Sequence, residues 1–162
     1  MRHTISILVD NEFGVLSRVS GLFSGRGFNI ESLCVAETLD PKVSLMTIVT
    51  SGDAQVIEQI TKQLHKLINT IKVTDLTGED YLERELALIK VTASNEHRAE
   101  ILSIIDIFRA KVVDVSPKTY TVEITGDKEK IHAMTELLRP FGIKEMARTG
   151  KVAMARTLKT VK

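Results

Sequence analysis

Strand-like and helix-like stretches follow one another in the same order twice along this chain, at a period of about 80 residues. Residues 3–9 alternate, with His3, Ile5, Ile7 and Val9 on one side and Thr4, Ser6 and Leu8 on the other, which is a strand. Asn11 is placed to cap a helix with the apolar face Val15, Leu16, Val19, Leu22 and Phe23. That helix stops near Gly25 and Gly27, both suited to the left-handed residue after a helix. Phe28 to Thr38 reads as a second strand, Asp40-Pro41-Lys42 as a turn and Ser44 to Thr50 as a third strand. Gly52-Asp53 opens a helix with the inward stripe Val56, Ile57, Ile60, Leu64, Leu67 and Ile68, and Thr70 to Thr77 closes the set. The order β-α-β-β-α-β is the ferredoxin-like split βαβ arrangement, an antiparallel sheet with both helices on one face.

Gly78-Glu79-Asp80 breaks the pattern, and the succession begins again. Glu85 to Ala93 is a strand, and Asn95 caps a helix with the stripe Ile101, Ile104, Ile105 and Phe108, with Leu102 beside it. Lys111 to Val115 and Thr119 to Thr125 are two strands joined at Ser116-Pro117. Gly126-Asp127 opens the last helix, with Ile131, Met134, Leu137 and Leu138 inward; Pro140 and Gly142 end it, and Ile143 to Ala147 is a strand. The fold class is therefore α+β, two tandem ferredoxin-like (βαββαβ) domains, residues 1–78 and 79–162.

A half of this size buries only about 60% of its unfolded surface and is marginal alone. In this topology the second strand lies at the sheet edge, where Leu33 and Val35 have no cover, and an apolar edge invites pairing with a second copy. A homodimer is expected.

The composition excludes several classes of function. No apolar run approaches the ~20 residues of a membrane span, and the N-terminus goes straight into a strand pattern, so a cytoplasmic protein without a targeting segment is expected. The single cysteine, Cys34, excludes an intrachain disulfide, and its place in a strand pattern suits a buried, inert thiol. His3, His65, His97 and His132 sit in different elements, none paired at metal-ligand spacing. There is no nucleophile elbow and no Cys/His couple, so catalysis by this chain alone is not expected. Gly21, Gly25 and Gly27 mimic a dinucleotide fingerprint but end a helix where the fingerprint joins a strand to one. The central strands carry no aromatic side chains for stacking bases, which argues against RNA.

The net charge is +1, divided unevenly. Residues 1–80 hold 7 basic and 10 acidic side chains, residues 81–162 hold 15 and 11. Most of the later excess is the tail of Lys144, Arg148, Lys151, Arg156, Lys159 and Lys162, which suits either a solvated end or contact with an acidic protein surface.

What remains is the stretch from Asp10 to Ile30. Gly14 falls in the first turn of the first helix, where glycine costs about 1 kcal/mol relative to alanine. Two readings offset that cost: tight packing on the preceding loop, or a ligand lying on bare backbone with its carboxylate on the helix N-terminus. A free amino acid suits the second reading. Its carboxylate would accept from the N–H groups around Phe13 to Leu16, and Asn11 and Asn29 offer amide groups to both of its charges. A small aliphatic side chain beside Leu16 and Ile30 would add roughly 1.5–3 kcal/mol, for an affinity on the order of micromolar to millimolar.

Several segments carry a specific likeness. They are His3-Thr4-Ile5-Ser6-Ile7-Leu8-Val9-Asp10-Asn11-Glu12, Gly14-Val15-Leu16-Ser17-Arg18-Val19 and Arg26-Gly27-Phe28-Asn29-Ile30-Glu31-Ser32-Leu33. Ser44-Leu45-Met46-Thr47-Ile48, Gln59 to Leu67, Glu83-Arg84-Glu85-Leu86 and Ala147-Arg148-Thr149-Gly150 extend it. The chain resembles, over essentially its whole length, the regulatory (small) subunits of acetohydroxyacid synthase, also called acetolactate synthase, whose N-terminal part is an ACT domain. The resemblance implies a homodimer that has no catalytic activity of its own, activates a separate catalytic (large) subunit and makes it sensitive to valine in branched-chain amino acid biosynthesis. It implies valine at an interface between two N-terminal domains joined in one sheet, held by Asn11, Gly14, Val15 and Leu16 of one copy and Asn29 and Ile30 of the other. Thiamine diphosphate, FAD and magnesium would belong to the catalytic partner and not to this chain. The alternative is a stand-alone ACT-type amino-acid sensor with a different client enzyme.

Overall fold

The computed structural model describes residues 1–157. The chain divides into two compact units, one of residues 1–82 joined by the segment that begins at Lys151, the other Glu83–Gly150.

In the first unit β1 (Arg2–Asp10), α1 (Val15–Gly25), β2 (Ile30–Glu37), β3 (Val43–Ser51), α2 (Ala54–His65) and β4 (Thr70–Asp75) follow in the expected order. The sheet runs β2-β3-β1-β4, every neighbour antiparallel. β1 pairs β3 without a slip, from Arg2 opposite Ser51 to Asp10 opposite Val43. Strand side chains alternate between faces, so Ile5, Ile7 and Val9 fall together with Met46 and Ile48. Val15, Val19 and Phe23 of α1 and Ile57, Ile60 and Leu64 of α2 close over that face and form one core with it. The other face carries Ser6, Leu8, Leu45 and Leu76.

The second unit repeats the plan. Its elements are β5 (Tyr81–Thr92, whose first two residues fall in the first unit), α3 (Arg98–Ile107), β6 (Lys111–Val115), β7 (Thr119–Gly126), α4 (Lys128–Leu138) and β8 (Ile143–Arg148). The order β6-β7-β5-β8 matches the first sheet position for position. Ala87, Ile89, Val91, Val122 and Ile124 meet Ile101, Ile105, Ile131, Met134 and Leu138 in its core. The α+β class and the ferredoxin-like plan of both halves are as the sequence indicates.

Several local expectations give way. Asn11 does not cap α1: the capping position is Gly14, and among the described residues no side chain caps the first turn. The Asn11 amide instead donates to Pro41 O at 2.9 Å, and its N–H donates to Lys42 O. Of the two helix-ending glycines only Gly27 is left-handed, with φ +72°; Gly25 is the last helical residue. Leu16, Leu137 and Ile68 belong to apolar stripes yet stand exposed. Ile68 does so because α2 ends at His65 and the chain turns away before reaching it. At α3 the capping position is His97 and not Asn95. Cys34 is half-buried, not buried.

The largest departure is the end of the chain, placed by sequence in the second domain, 79–162. Its described part contains a short strand, β9 (Val152–Ala155), and groups with the first unit. Lys151 N–H donates to Ser32 Oγ at 3.1 Å, Arg156 pairs with Asp80 at 3.0 Å, and Ala153 is buried. A four-residue strand is below what alternation can reveal. Arg148 belongs to the second unit, where it forms a two-pronged pair with Glu85 at 2.7 and 2.8 Å. The Glu85 hydrogen bonds raise the Arg148 guanidinium pKa and outweigh the burial that counts against its charge. Lys159 and Lys162 lie outside the described residues.

Candidate functional site

The β1–α1 junction is built around one backbone conformation. Gly14 has φ +83°, a left-handed value that costs an L side chain about 1–2 kcal/mol. Glycine is therefore there for the turn, and the helix-propensity cost read from sequence does not arise, because α1 starts one residue later. Val15 N–H donates to Glu12 O at 3.4 Å, and among the described residues no side chain caps the remaining first-turn N–H groups at the positive end of the helix. The companion helix α2 is different: Asp53 accepts from Val56 N–H at 2.9 Å and closes its own end. Space around Gly14 is open, since a β-carbon there would meet nothing within 4 Å.

Neighbouring groups fix the junction and leave apolar surface on it. Glu12 accepts from the Asn69 amide at 3.0 Å, and Asn69 in turn accepts from Arg18 at 2.5 Å, which ties the turn to β4. Val15 is buried in the core, while Phe13 is fully exposed and Leu16 substantially so. Leu39, on the β2–β3 turn, is fully exposed as well. The Asn11 contact to Pro41 joins those two turns.

Asn29 and Ile30 lie elsewhere. Ile30 pairs with Thr50, and Thr50 with His3, so both residues sit at the far end of the sheet from the Asp10–Val43 pair that leads to Gly14. Seven residue steps of strand separate the two ends, roughly 23 Å. Asn29 is exposed, its carbonyl accepting from Thr50 Oγ1 at 2.7 Å. With Ile30 it borders an open groove of about 460 Å³ along α1, lined also by Ser17, Ser20, Gly21 and Ser24. Asn11, Gly14, Val15 and Leu16 thus come together, Asn29 and Ile30 come together, and one chain does not join the two groups.

A polar cluster at the base of the first sheet was missed by sequence reading. His3, 8% exposed, holds Asp75 Oδ2 through Nδ1 at 3.1 Å, and its Nε2 is buried with no partner among the described residues. Burial of Asp75 works against ionisation, but donors from the Thr77 hydroxyl, the Thr77 N–H and His3 outweigh it and hold the carboxyl below its ordinary range. The pair spans 72 residues of sequence, and its only advance signal was a histidine on an apolar strand face. Among the described residues no group of three His, Cys, Asp or Glu side chains is placed to hold a metal, and no helix is long and apolar enough to cross a membrane.

Comparison with known proteins addresses both units. Residues 5–72 match the model of the acetohydroxyacid synthase (AHAS) small subunit-like ACT domain, and residues 84–157 match the model described as the small subunit of acetolactate synthase. The acetolactate synthase small subunit of Aquifex aeolicus is 60% identical, over 97% of this chain and 82% of its own. A probable acetolactate synthase small subunit of Archaeoglobus fulgidus is 56% identical, over 96% and 98%. The crystal structure of the acetolactate synthase small subunit of Thermotoga maritima superposes with a TM-score of 0.88 at 44% identity, covering 96% of this chain and 98% of that one. From both domains and along nearly its whole length, the chain belongs to the family of acetolactate synthase small subunits.

Proposed function

We propose that this chain activates an acetolactate synthase catalytic subunit and makes it sensitive to valine, which binds where two copies of the first unit meet. The observation that carries the reading is the end of α1: a left-handed Gly14, open space above it, and a first turn with no side-chain cap. An amino-acid carboxylate supplies the acceptor that the helix lacks, worth about 0.3–1 kcal/mol and up to ~2 when partly buried. The exposed Leu16 offers apolar surface to a branched side chain. Asn29 and Ile30, too far away within one chain, are supplied by the neighbouring copy, and Asn11 and Asn29 provide amide groups for the ligand's two charges.

Edge-to-edge pairing of β2 strands supports this arrangement geometrically. Two antiparallel copies of β2 bring the Ile30 end of one to the Glu37 end of the other, which is the end that carries the Asn11 and Gly14 turn. Valine then adds contacts across the interface and favours the dimer geometry it fits best. It shifts the catalytic subunit only by its differential affinity for the two geometries. Thiamine diphosphate, FAD and magnesium are assigned to the catalytic subunit, and the complex to the cytoplasm.

Reconstitution tests the reading. An acetolactate synthase catalytic subunit from the same organism is assayed alone, with the chain, and with the chain plus valine. Activation and valine inhibition are expected, and Gly14→Asp is expected to keep activation while losing at least 10-fold in valine sensitivity. The space around Gly14 leaves room for the new side chain, but φ +83° strains any L residue there by about 1–2 kcal/mol, so Gly14→Asn, which carries that strain without the charge, is the control and is expected to keep more of the valine response. A Gly14→Asp chain with unaltered valine response overturns the site. A wild-type chain that leaves the catalytic subunit unaffected favours the stand-alone sensor.

A further inference from the structure

We propose that the face of the first sheet turned away from the helices holds a binding site for a short aliphatic carboxylate that carries no ammonium group. Lys72 is its anion partner and β9 its wall. The site shares no residue with the one proposed for valine, so the two stand or fall separately.

Strand register lays out the floor. Residues directly opposite in a ladder share a face, and here Leu8 of β1 lies between Leu45 of β3 and Lys72 of β4. That row is apolar and ends in a cation. In the next row Ser6 lies opposite Thr74, so two hydroxyls stand side by side. Leu76, two residues beyond Thr74, closes the floor with another apolar side chain.

The wall is held in place at both ends. Lys151 N–H donates to Ser32 Oγ on one side, and on the other Arg156 pairs with Asp80 and donates its own N–H to Asp80 O at 2.9 Å. Between these anchors Ala153 is buried, and the short side chains of Ala153 and Ala155 on either side of Met154 leave a cavity of about 270 Å³ against the sheet. A wall fixed in this way forms the cavity before any ligand arrives. Its volume is at the small end for a ligand pocket, where sizes start at roughly 300 Å³, and so suits a small metabolite.

The lining selects the chemistry. Leu8, Leu45, Leu76 and Met154 offer apolar surface to an aliphatic chain, which leaves water on binding. The polar side chains are the Ser6 and Thr74 hydroxyls and the Lys72 ammonium, and among the described residues none of the three has a hydrogen-bond or ion-pair partner. All three can donate, which suits a carboxylate. No Asp or Glu lines the cavity among the described residues. A ligand's ammonium would enter without a counter-charge, so an amino acid is disfavoured against the same carbon skeleton without its amino group. Two interstrand spacings, roughly 10 Å, separate the Lys72 and Leu45 strands, room for a carboxylate on a chain of about four to six carbons.

Methyl-detected NMR of the full chain, labelled at leucine and methionine, tests the site with 3-methylbutanoate, which is valine without its amino group. Saturable shifts are expected at Leu8, Leu45, Leu76 and Met154, with a dissociation constant on the order of millimolar. Lys72→Gln, at an exposed position, is expected to weaken binding about 5-fold or more. Ser6→Val, which fills the floor and removes a hydroxyl, is expected to abolish it. The uncharged 3-methylbutan-1-ol is expected to bind at least about 5-fold more weakly than the acid, and valine is expected not to displace the acid. Equal binding of the alcohol, or displacement by valine, overturns the assignment of ligand charge. No saturable shift, shifts confined to Leu16 and Leu33 beside the proposed valine site, or binding unchanged in both variants overturns the site itself.

Discussion

The two units share a topology and differ at the same edge. β2 has eight residues, and its pairing with β3 is regular from Ser32 to Glu37. β6, its counterpart, has five, and its pairing slips between Val112 and Asp114, so Val113 is an extra residue in the middle of the strand. A bulge twists an edge and removes the even row of donors and acceptors that another strand needs. Val113 and Val115 are exposed as Val35 is, yet only β2 offers a flat, self-complementary run. Exposed apolar side chains are common to both edges, so the proposed pairing of β2 rests on the regular backbone beneath them. The helix starts differ likewise: α2 and α4 carry aspartate caps, and α1 leaves its first turn open behind a left-handed glycine.

The comparison is broken most severely through the core. Phe23→Ala empties a fully buried site in the first unit and is expected to destabilise that unit by about 3–5 kcal/mol. Hydrogen exchange should speed in β1 and β3, with β5 and β7 unchanged. At the edges, Val35→Lys is expected to raise the dimer dissociation constant by roughly 30-fold or more by sedimentation equilibrium, since a symmetric dimer carries the lesion twice. Val115→Lys on β6 should leave it within about 2-fold. If both act alike, the distinction between a regular and a bulged edge fails.

The capped helices should respond as a matched pair. Asp53→Ala and Asp127→Ala each remove one side-chain acceptor from a first-turn N–H, at 2.9 and 2.8 Å, and each is expected to cost about 1 kcal/mol in chemical denaturation. The smallest effect concerns acid. Asp75 has its carboxyl pKa lowered in the fold, so its contribution is present above its unfolded value and is lost as pH falls through the folded one. Asp75→Asn is therefore expected to reduce stability by under about 1 kcal/mol at pH 7, after discounting for its exposure. The difference should shrink as pH falls below the unfolded value and vanish once the folded carboxyl is protonated as well, read by acid titration of both chains.

Much of this was legible in the sequence, for identifiable reasons. Both units were readable because their strands alternate cleanly and their helices carry apolar stripes with turn residues between them. The stretch from Asp10 to Ile30 stood out through Gly14, but the helix-propensity cost read there does not arise: dihedral angles, invisible in sequence, make it a turn residue ahead of the helix. Asn11 looked like a cap because caps are chosen by residue type, and its actual partner, Pro41, is thirty positions away. The separation of Asn29 and Ile30 from Gly14 could not be read without the strand register. The His3–Asp75 pair and β9 were missed alike, since each depends on a partner from another part of the chain.

That last strand has a consequence for how the protein is made. The first unit is left at Leu82 and finished only when β9 has been synthesised, about 70 residues later. At roughly 5–20 residues per second, the ribosome holds a nascent sheet with its outer face uncovered for some seconds. A nascent chain stalled anywhere in that interval should present Leu8, Leu45 and Leu76 to chaperones, and the emergence of β9, whose Ala153, Met154 and Ala155 lie beside them, closes the window.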